Sequence, residues 1–277
     1  MKVPLLLVFL VISARGDTQT DIEYGRVGET SLKLDLHRPQ AASPPLVVYV
    51  HGGAWRAGSK SDVPIAKLLD HGFAIASVDY RLSTQARFPA QVHDIKAAIR
   101  FLRANAEVLH IDTERVAIVG SSAGGHLAAL VGVTKDHKKL EGRVGDHLDR
   151  SSAVQAIVSL YGASNLQSIL GQSTEFGLTV RIPALKLLLG DVPDAVPDLA
   201  RLASPVAHLD SKDPPLLLIH GDADPQMPPQ QSAELEKAYP GSVTYIKLPG
   251  SKHGGPEFYD DERTALMVDF IKRAFER

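Results

Sequence analysis

The pentapeptide Gly120-Ser121-Ser122-Ala123-Gly124 has the G-x-S-x-G spacing of a serine nucleophile held at a sharp turn. It follows the apolar run Val116–Val119 and precedes a stretch rich in alanine and leucine, so we expect a strand, the turn and then a helix. In that context the hydroxyl of Ser122 is exposed at the turn, and the helix presents free N–H groups to any anion that forms there. The structural alternative is a turn that is rich in glycine only for close packing. A phosphate-binding loop is disfavoured because neither of its glycine patterns fits.

The glycine pair Gly52-Gly53 follows directly after the apolar run Leu46–Val50. Acyl transfer requires N–H donors aimed at the oxygen on which negative charge develops, and one such donor typically contributes ~3 kcal/mol. Because glycine lets the backbone approach a ligand closely, we predict an oxyanion hole formed by the N–H of Gly52 or Gly53 together with that of Ala123. Taken alone, the same two glycines would indicate only a turn.

A serine nucleophile also needs a base and an acid, and both are available after later apolar runs. His253 follows Val243–Leu248, while Asp222 and Asp224 follow Leu216–Ile219. The order serine, acid, histidine along the chain is typical of hydrolases whose G-x-S-x-G turn joins a strand to a helix. Either aspartate satisfies this order. We favour Asp224 as the acid and expect Asp222 to cap the turn.

Short apolar runs alternate with helical patterns through most of the chain. Continuous apolar runs of this length indicate strands that are buried on both faces, and the helices between them indicate parallel strands. We therefore predict an α/β fold with a mostly parallel central sheet and helices on both of its faces. The predicted strands are Leu46–Val50, Phe73–Val78, Val116–Val119, Val154–Leu160, Leu216–Ile219 and Val243–Leu248. The predicted helices are Val63–His71, a helix that Pro89 opens, Gly124–Val133, Gln230–Ala238 and Glu262–Phe275.

Two parts of the chain depart from this alternation. Near the N-terminus, Asp21–Tyr24 and Ser31–His37 alternate apolar and polar residues, which predicts a half-exposed antiparallel hairpin. Residues 164–204 form a longer, partly apolar stretch between two core strands, and we interpret them as a small cap-like insertion. We therefore predict a single domain over residues 17–277.

Residues 1–16 have the pattern of a cleaved export signal. Lys2 precedes an apolar run from Val3 to Ile12, and Ala14-Arg15-Gly16 places small residues where a signal peptidase cuts. Ten apolar residues are too few to span a hydrocarbon core of ~30 Å, so no membrane span is expected. A buried first strand is the alternative, and Pro4 fits it poorly. The sequence thus predicts a secreted or periplasmic protein.

The overall composition narrows the chemistry further. The 277 residues include 30 Lys and Arg against 32 Asp and Glu, and no cysteine. The balanced charge gives no reason to expect a nucleic acid partner, and the absence of cysteine excludes disulfides, thiolate metal sites and cysteine nucleophiles. His137 and His147 are too scattered within a charged loop to indicate a metal site. We expect neither a metal nor an organic cofactor.

From about Leu46 to its C-terminus the sequence resembles the α/β-hydrolases of the hormone-sensitive-lipase-like and bifunctional feruloyl and acetylxylan esterase groups. The matching segments are His51–Trp55 with Gly58-Ser59-Lys60, Asp79–Leu82, Asp112–Gly125, Ser204-Pro205, His220–Pro228 and His253-Gly254. The resemblance implies an α/β-hydrolase fold, Ser122, Asp224 and His253 as the catalytic triad, and Gly52, Gly53 and Ala123 as oxyanion donors. Ala54-Trp55 replaces the third glycine that is usual in the lipase group. This departure favours the carbohydrate-esterase side and leaves open which amides form the hole.

The expected activity is hydrolysis of short-chain acyl esters. The acyl group is attached to a small molecule or to a polysaccharide, for example as an acetyl or feruloyl ester. An arylformamidase or another amide hydrolase is the alternative, because kynurenine formamidases share the His-Gly-Gly-x-Trp pattern. A binding module without activity is disfavoured because all three triad residues are present. The oligomeric state is left open.

Several neighbouring residues have both a structural and a functional interpretation. Trp55 either lines the site beside an acyl or sugar group, the role that we assign to it as a substrate-binding residue, or packs its own loop. Arg81 and Asp94 are expected to form a structural pair, as they do in the families that the sequence resembles. His51 is expected to anchor the glycine loop by hydrogen bonding, and His126 to be packed in the core.

Overall fold

The structure of the chain, a computed structural model, describes residues 16–277. Apart from Gly16, the export signal that we predict for residues 1–16 lies outside the described residues and stays a prediction. The described strands are β1 (Asp17–Val27), β2 (Thr30–Arg38), β3 (Pro45–Val50), β4 (Ala74–Val78), β5 (Asp112–Ser121), β6 (Ala156–Leu160), β7 (Leu216–Gly221) and β8 (Val243–Leu248). The helices are α1 (Ala90–Ala104), α2 (Ala123–Gly132), α3 (Ile169–Gln172), α4 (Glu175–Leu189), α5 (Pro197–Leu202), α6 (Gln230–Ala238) and α7 (Asp261–Phe275). Short 3₁₀ helices cover Ala66–His71, Pro193–Ala195, Pro205–Ala207 and Pro256–Phe258.

The strands form one eight-stranded sheet in the order β1-β2-β4-β3-β5-β6-β7-β8. β1 pairs with β2, and β2 with β4, in antiparallel fashion, whereas every pairing from β4 through β8 is parallel. The predicted α/β fold with a mostly parallel sheet is therefore confirmed, and the predicted hairpin is the antiparallel edge of that sheet. Because parallel strands end at the same edge, the loops after β3, β5, β7 and β8 come together there.

The central strands are buried on both faces, as their unbroken apolar runs predict. In β3, Leu46, Val48 and Val50 pack in one hydrophobic cluster with residues of α1 and α2. Val47 and Tyr49, which point to the other face, pack in a second cluster with residues of α7 and the 3₁₀ helix Ala66–His71. Helices therefore cover both faces of the sheet, and successive residues of one strand serve two different layers.

The predicted helix Val63–His71 is the one element whose type differs in part. The structure has a 3₁₀ helix over Ala66–His71, which Gly72 ends with a left-handed backbone conformation (φ 87°). Glycine adopts this conformation without the penalty of a Cβ atom, so the turn stops there and β4 begins at Ala74. The apolar spacing resembles that of an α-helix, but the amides of Ala66, Leu68 and Gly72 bond to carbonyl groups three residues earlier, which is the pattern of 3₁₀ turns.

Residues 164–204, which we predict to be a cap-like insertion, contain α3, α4, α5 and a 3₁₀ helix. Thr174 caps the N-terminus of α4 by accepting a hydrogen bond from the amide of Gly177. Leu185 and Leu188 of α4 are buried in the same hydrophobic cluster as α1 and α2. The insertion thus shares the main core. Among residues 16–277, no helix is long and apolar enough to cross a membrane.

Candidate active site

The turn between β5 and α2 places Ser122 at the edge of the sheet. Ser122 has a positive φ of 54° with ψ −117°, a conformation that costs a non-glycine residue about 1–3 kcal/mol and is concentrated at functional sites. Its amide donates to the carbonyl oxygen of Leu160 over 2.8 Å, which fixes the turn against β6. A Cβ atom on Gly120 would collide with the carbonyl oxygen of Gly124, and one on Gly124 would collide with that of Val50. The glycines of the motif are therefore needed for this close approach.

Ser122, His253 and Asp224 form a continuous chain of hydrogen bonds across three loops. The Oγ of Ser122 lies 2.8 Å from Nε2 of His253. The Nδ1 of His253 lies 2.7 Å from Oδ2 of Asp224. When Nδ1–H donates to the carboxylate, Nε2 is left to accept the hydroxyl proton of the serine, which is the tautomer that a general base requires.

The loop after β7 separates the two candidate aspartates. Oδ1 of Asp224 accepts the amides of Gln226 and Met227, each over 2.8 Å, and its Oδ2 accepts from His253. Oδ1 of Asp222 instead accepts the amide of Gly250 over 2.7 Å. Asp224 therefore faces the histidine, whereas Asp222 holds the following turn.

His220, at the end of β7, contacts the same carboxylate from below. Its Nε2 lies 3.3 Å from Oδ2 of Asp224 and 3.1 Å from the carbonyl oxygen of Met227, and its Nδ1 lies 2.7 Å from Oγ of Ser232. Burial by itself raises the pKa of the Asp224 carboxyl, but the contacts with His220 and His253 outweigh burial and lower that pKa below its ordinary value. Asp224 is therefore ionised at neutral pH.

A cleft of about 510 Å³ opens beside Ser122. Gly52, Gly53 and Ser122 are among the residues that line it. Within residues 16–277, the amides of Gly52, Gly53 and Ala123 donate no hydrogen bond to another protein group. Ala123 is the first residue of α2, where amides have no partner inside the helix and the positive end of the helix dipole lies. None of the three predicted donors is therefore engaged by the described part of the protein; Gly52 and Gly53 line the same cleft as Ser122, and Ala123 directly follows the serine in the chain.

The remaining walls of the cleft come from residues that the sequence did not single out. Tyr161, Val180 and Gln226 form walls, and Arg56 and Asp62 add charge to the lining. The Tyr161 ring packs edge-on against the His253 ring, with 4.9 Å between centroids, and its hydroxyl lies 2.6 Å from that of Tyr259. Burial raises the pKa of Tyr161, so it stays a neutral packing partner of the histidine. No local pattern marks these residues, because they lie far apart in the sequence.

The position of Trp55 contradicts its assignment as a substrate-binding residue. It has no exposed surface, its indole N–H donates to Nδ1 of His126 over 3.1 Å, and Arg181 lies over its ring. A fully buried ring cannot contact a substrate in the cleft, so the assignment of Trp55 to substrate binding is corrected, and the packing alternative describes its position. His126 is fully buried against it, as we expect of a packed histidine.

The other predicted structural residues lie outside the cleft lining. Arg81 forms a two-pronged ion pair with the fully buried Asp94, from Nε to Oδ2 over 2.8 Å and from Nη2 to Oδ1 over 2.7 Å. The Nδ1 of His51 lies 2.9 Å from the carbonyl oxygen of Gly52, and its ring stacks on that of Tyr80 with 4.4 Å between centroids. Both arrangements support the loops rather than the cleft.

A second cavity, of about 570 Å³, lies beside His137, Arg201 and His208 and contains no residue of the hydrogen-bonded chain around Ser122. In the described part of the chain, no group of three or more His, Asp or Glu side chains is arranged to hold a metal ion.

Comparisons with known proteins place the fold among esterases. The chain is 31% identical over 234 residues to the esterase LipC of Mycobacterium tuberculosis. The aligned region covers 82% of this chain and 57% of LipC. The chain therefore spans a little over half the length of that relative. Among solved structures, a truncated carbohydrate esterase from gut microbiota is 31% identical with a TM-score of 0.87, covering 96% of this chain and 99% of that one. A bifunctional GH43-CE protein of Bacteroides eggerthii is 34% identical with a TM-score of 0.83, covering 93% and 35%.

The sequence profile of the BD-FAE family matches residues 34–239, most of the chain. This range includes the Ser122 turn, the glycine loop and the Asp224 loop. The fold, the order of the site residues and this match agree: the chain belongs to the BD-FAE family and has the fold of the α/β-hydrolases.

Proposed function

We propose that the protein is a serine carboxylesterase that hydrolyses short-chain acyl esters, including acetyl or feruloyl esters on carbohydrates. The observation that carries the proposal is the hydrogen-bonded chain from Ser122 through His253 to Asp224 beside free backbone amides. The similarity to esterase LipC and to a carbohydrate esterase supports the same activity.

The mechanism that we propose is two-step acyl transfer. His253 takes the proton of Ser122 while the serine oxygen attacks the ester carbonyl, and the amides of Gly52 or Gly53 and of Ala123 stabilise the oxyanion. His253 then gives its proton to the leaving alcohol. Water repeats the two proton transfers and releases the acid. Asp224 holds the imidazole in the required tautomer and stabilises its charged form.

The dimensions and lining of the cleft support this substrate class. A volume of about 510 Å³ that is shared between the acyl group and the alcohol leaves space for a short acyl chain. Arg56 and Asp62, which also line the cleft, suit a polar alcohol such as a sugar better than a lipid tail. We propose a secreted or periplasmic location from the predicted export signal, and one domain over residues 17–277 whose insertion borders the cleft through Val180.

Hydrolysis of p-nitrophenyl acetate, butyrate, octanoate and laurate tests the proposal, with formanilide as an amide substrate. We expect the highest kcat/KM on acetate or butyrate and loss of activity in Ser122→Ala. The matched control is Ser121→Ala. The Ser121 hydroxyl lies 3.0 Å from that of Tyr49, and its removal should cost far less activity. Ser122-dependent hydrolysis of the amide alone would replace the esterase with an amide hydrolase, and activity that rises to laurate would contradict the short-chain class.

A further inference from the structure

Helix α4 of the insertion holds the loop of Asp224 at two successive carbonyl groups. The hydroxyl of Thr174, at the N-terminus of α4, donates to the carbonyl oxygen of Pro225 over 2.6 Å. Arg181, two turns further along the helix, donates from Nη2 to the carbonyl oxygen of Gln226 over 2.9 Å. The amide of Gln226 donates in turn to Oδ1 of Asp224. The peptide group between Pro225 and Gln226 thus accepts from Thr174 and donates to Asp224. The next peptide group accepts from Arg181 at the Gln226 carbonyl and donates to the same carboxylate through the Met227 amide.

Arg181 is also a buried cation. It is 1% exposed, and its guanidinium carbon lies 5.8 Å from the centroid of the Trp55 ring. Burial lowers the pKa of Arg181 to about 10, against an opposing effect of the Asp224 charge, so the guanidinium is charged at neutral pH. Among residues 16–277 its Nε has no hydrogen-bond partner and no carboxylate forms an ion pair with it. Asp224 is the negative charge that acts on it, through space rather than by contact.

We propose that Arg181 is a positioning residue for Asp224: it fixes the acid loop through the Gln226 carbonyl and supplies the permanent positive charge that stabilises the ionised carboxylate. This inference rests on the proposed function and gives the insertion a role in catalysis. The role is indirect, because Arg181 is absent from the lining of the cleft, whereas its neighbour Val180 is part of it.

The groups that face this carboxylate and its histidine are few and identifiable. His220 approaches Asp224 from β7, and His253 approaches it from the loop after β8. Tyr161 and Ser122 face His253 from the loops after β6 and β5. On the other side, Arg181 acts electrostatically on the buried His126. Within this set, Arg181 is a guanidinium that is charged at neutral pH, because burial lowers its pKa only to about 10.

Substitutions of Arg181 test the effect of its charge. Arg181→Gln removes the charge, and its side chain is two atoms too short to reach the Gln226 carbonyl, whereas Arg181→Lys keeps the charge. Lys186→Gln is the matched control, because Lys186 is an exposed cation on the same helix. Each variant is purified, its fold is checked by circular dichroism, and kcat and KM for p-nitrophenyl acetate are measured between pH 5 and 9. Arg181→Met serves as a second uncharged variant whose stem preserves the contact with Trp55.

The charge makes a specific prediction about the pH profile. Without the Arg181 charge, protonation of the His253–Asp224 pair becomes easier, so the acidic limb of kcat/KM should move to higher pH by about half a unit. The kcat should fall roughly tenfold with little change in KM, because the substrate does not touch Arg181. In Arg181→Lys the acidic limb of kcat/KM should stay at its wild-type pH, and Lys186→Gln should match the wild type in every parameter.

A second measurement does not depend on activity. The proton between His253 and Asp224 is expected to give a downfield imidazole resonance in the NMR spectrum, and its titration can be followed in each folded variant. A parallel shift of this titration in both uncharged variants supports the inference even where the ester substrate is poorly chosen. If the acidic limb of kcat/KM and the imidazole resonance stay at their wild-type positions in both uncharged variants, the inference is overturned. Arg181 is then a packing residue of α4. An inactive wild type with a shifted resonance would instead contradict the proposed function alone.

Discussion

The indole N–H of Trp55 donates a hydrogen bond to Nδ1 of His126 over 3.1 Å. Because Nδ1 accepts, the proton of the neutral ring lies on Nε2, which is 2.7 Å from the carbonyl oxygen of Ala203 and donates to it. Burial lowers the pKa of His126 to about 4, which keeps the ring neutral in the folded protein. The only tryptophan of the chain thus stabilises one tautomer of a buried histidine behind the active site.

Burial of the neutral His126 ring predicts a loss of stability in mild acid. In the unfolded chain His126 takes up a proton near pH 6.5, but in the folded chain only near pH 4, so the free energy of unfolding falls as the pH drops from 6.5 to 4. We expect His126 to account for about 2 kcal/mol of the loss between pH 7 and pH 5. Urea unfolding of His126→Gln should show a correspondingly weaker pH dependence. The exposed His71→Gln is the control; equal pH dependence in all three proteins would contradict the prediction.

The turn at Ser122 predicts a sharp difference between two glycine substitutions. A Cβ atom on Gly124 would overlap the carbonyl oxygen of Val50, whereas one on Gly171, within α3, would meet nothing within 4 Å. Gly124→Ala should therefore lower the free energy of unfolding by about 2–3 kcal/mol. Gly171→Ala should be neutral or stabilising by up to about 1 kcal/mol, because alanine favours the helix. Thermal and urea unfolding measure both; similar effects of the two changes would count against the tight β5–α2 turn.

The two aspartates after β7 should differ strongly in their effect on turnover. Asp224→Asn leaves the geometry nearly intact but favours the wrong tautomer of His253, so kcat should fall by roughly 10⁴-fold. Asp222→Asn keeps an oxygen that can accept the amide of Gly250 and should change kcat by less than about tenfold. Steady-state kinetics on p-nitrophenyl acetate compares them. A larger loss in Asp222→Asn than in Asp224→Asn would show that Asp222, and not Asp224, is the acid.

Val180 should set the preferred acyl length, since it is the residue of α4 that lines the cleft. Val180→Phe should lower kcat/KM for butyrate relative to acetate by about tenfold, and Val180→Ala should raise that ratio, because each methylene in such a pocket is worth about 1–3 kcal/mol. Leu187→Ala, on the same helix but outside the cleft lining, serves as the control. An unchanged ratio in both Val180 variants would show that the acyl group lies elsewhere.

The elements that local patterns specify were predictable from the sequence. β8 and α6 have the predicted bounds because proline and glycine residues flank each of them. The positions of Ser122 and His253 follow for the same reason, since each comes directly after a strand of a parallel sheet. The sequence favours Asp224 over Asp222 as the acid, and the structure supplies the contacts of each: Asp224 with His253, and Asp222 with the amide of Gly250.

The role of Trp55 and the importance of Arg181 could not be predicted in this way. Trp55 is buried by contacts with His126 and Arg181, both far away in the sequence, so a loop position that suggested substrate contact became part of the core. Arg181 lies in a helix that contains Pro183, and its hydrogen bond to Gln226 spans 45 positions in the sequence. Burial of a charged side chain depends on such distant partners, which local periodicity does not encode.

Covalent labelling tests the central claim, that Ser122 is the nucleophile and His253 activates it. The chain is treated with diethyl p-nitrophenyl phosphate, and the modified peptide is identified by mass spectrometry while hydrolysis of p-nitrophenyl acetate is followed in parallel. We predict one diethylphosphoryl adduct, on Ser122, formed in step with the loss of activity, absent from Ser122→Ala and greatly slowed in His253→Ala. An adduct on another residue that accompanies the loss of activity, or undiminished hydrolysis once Ser122 is fully modified, would contradict the account.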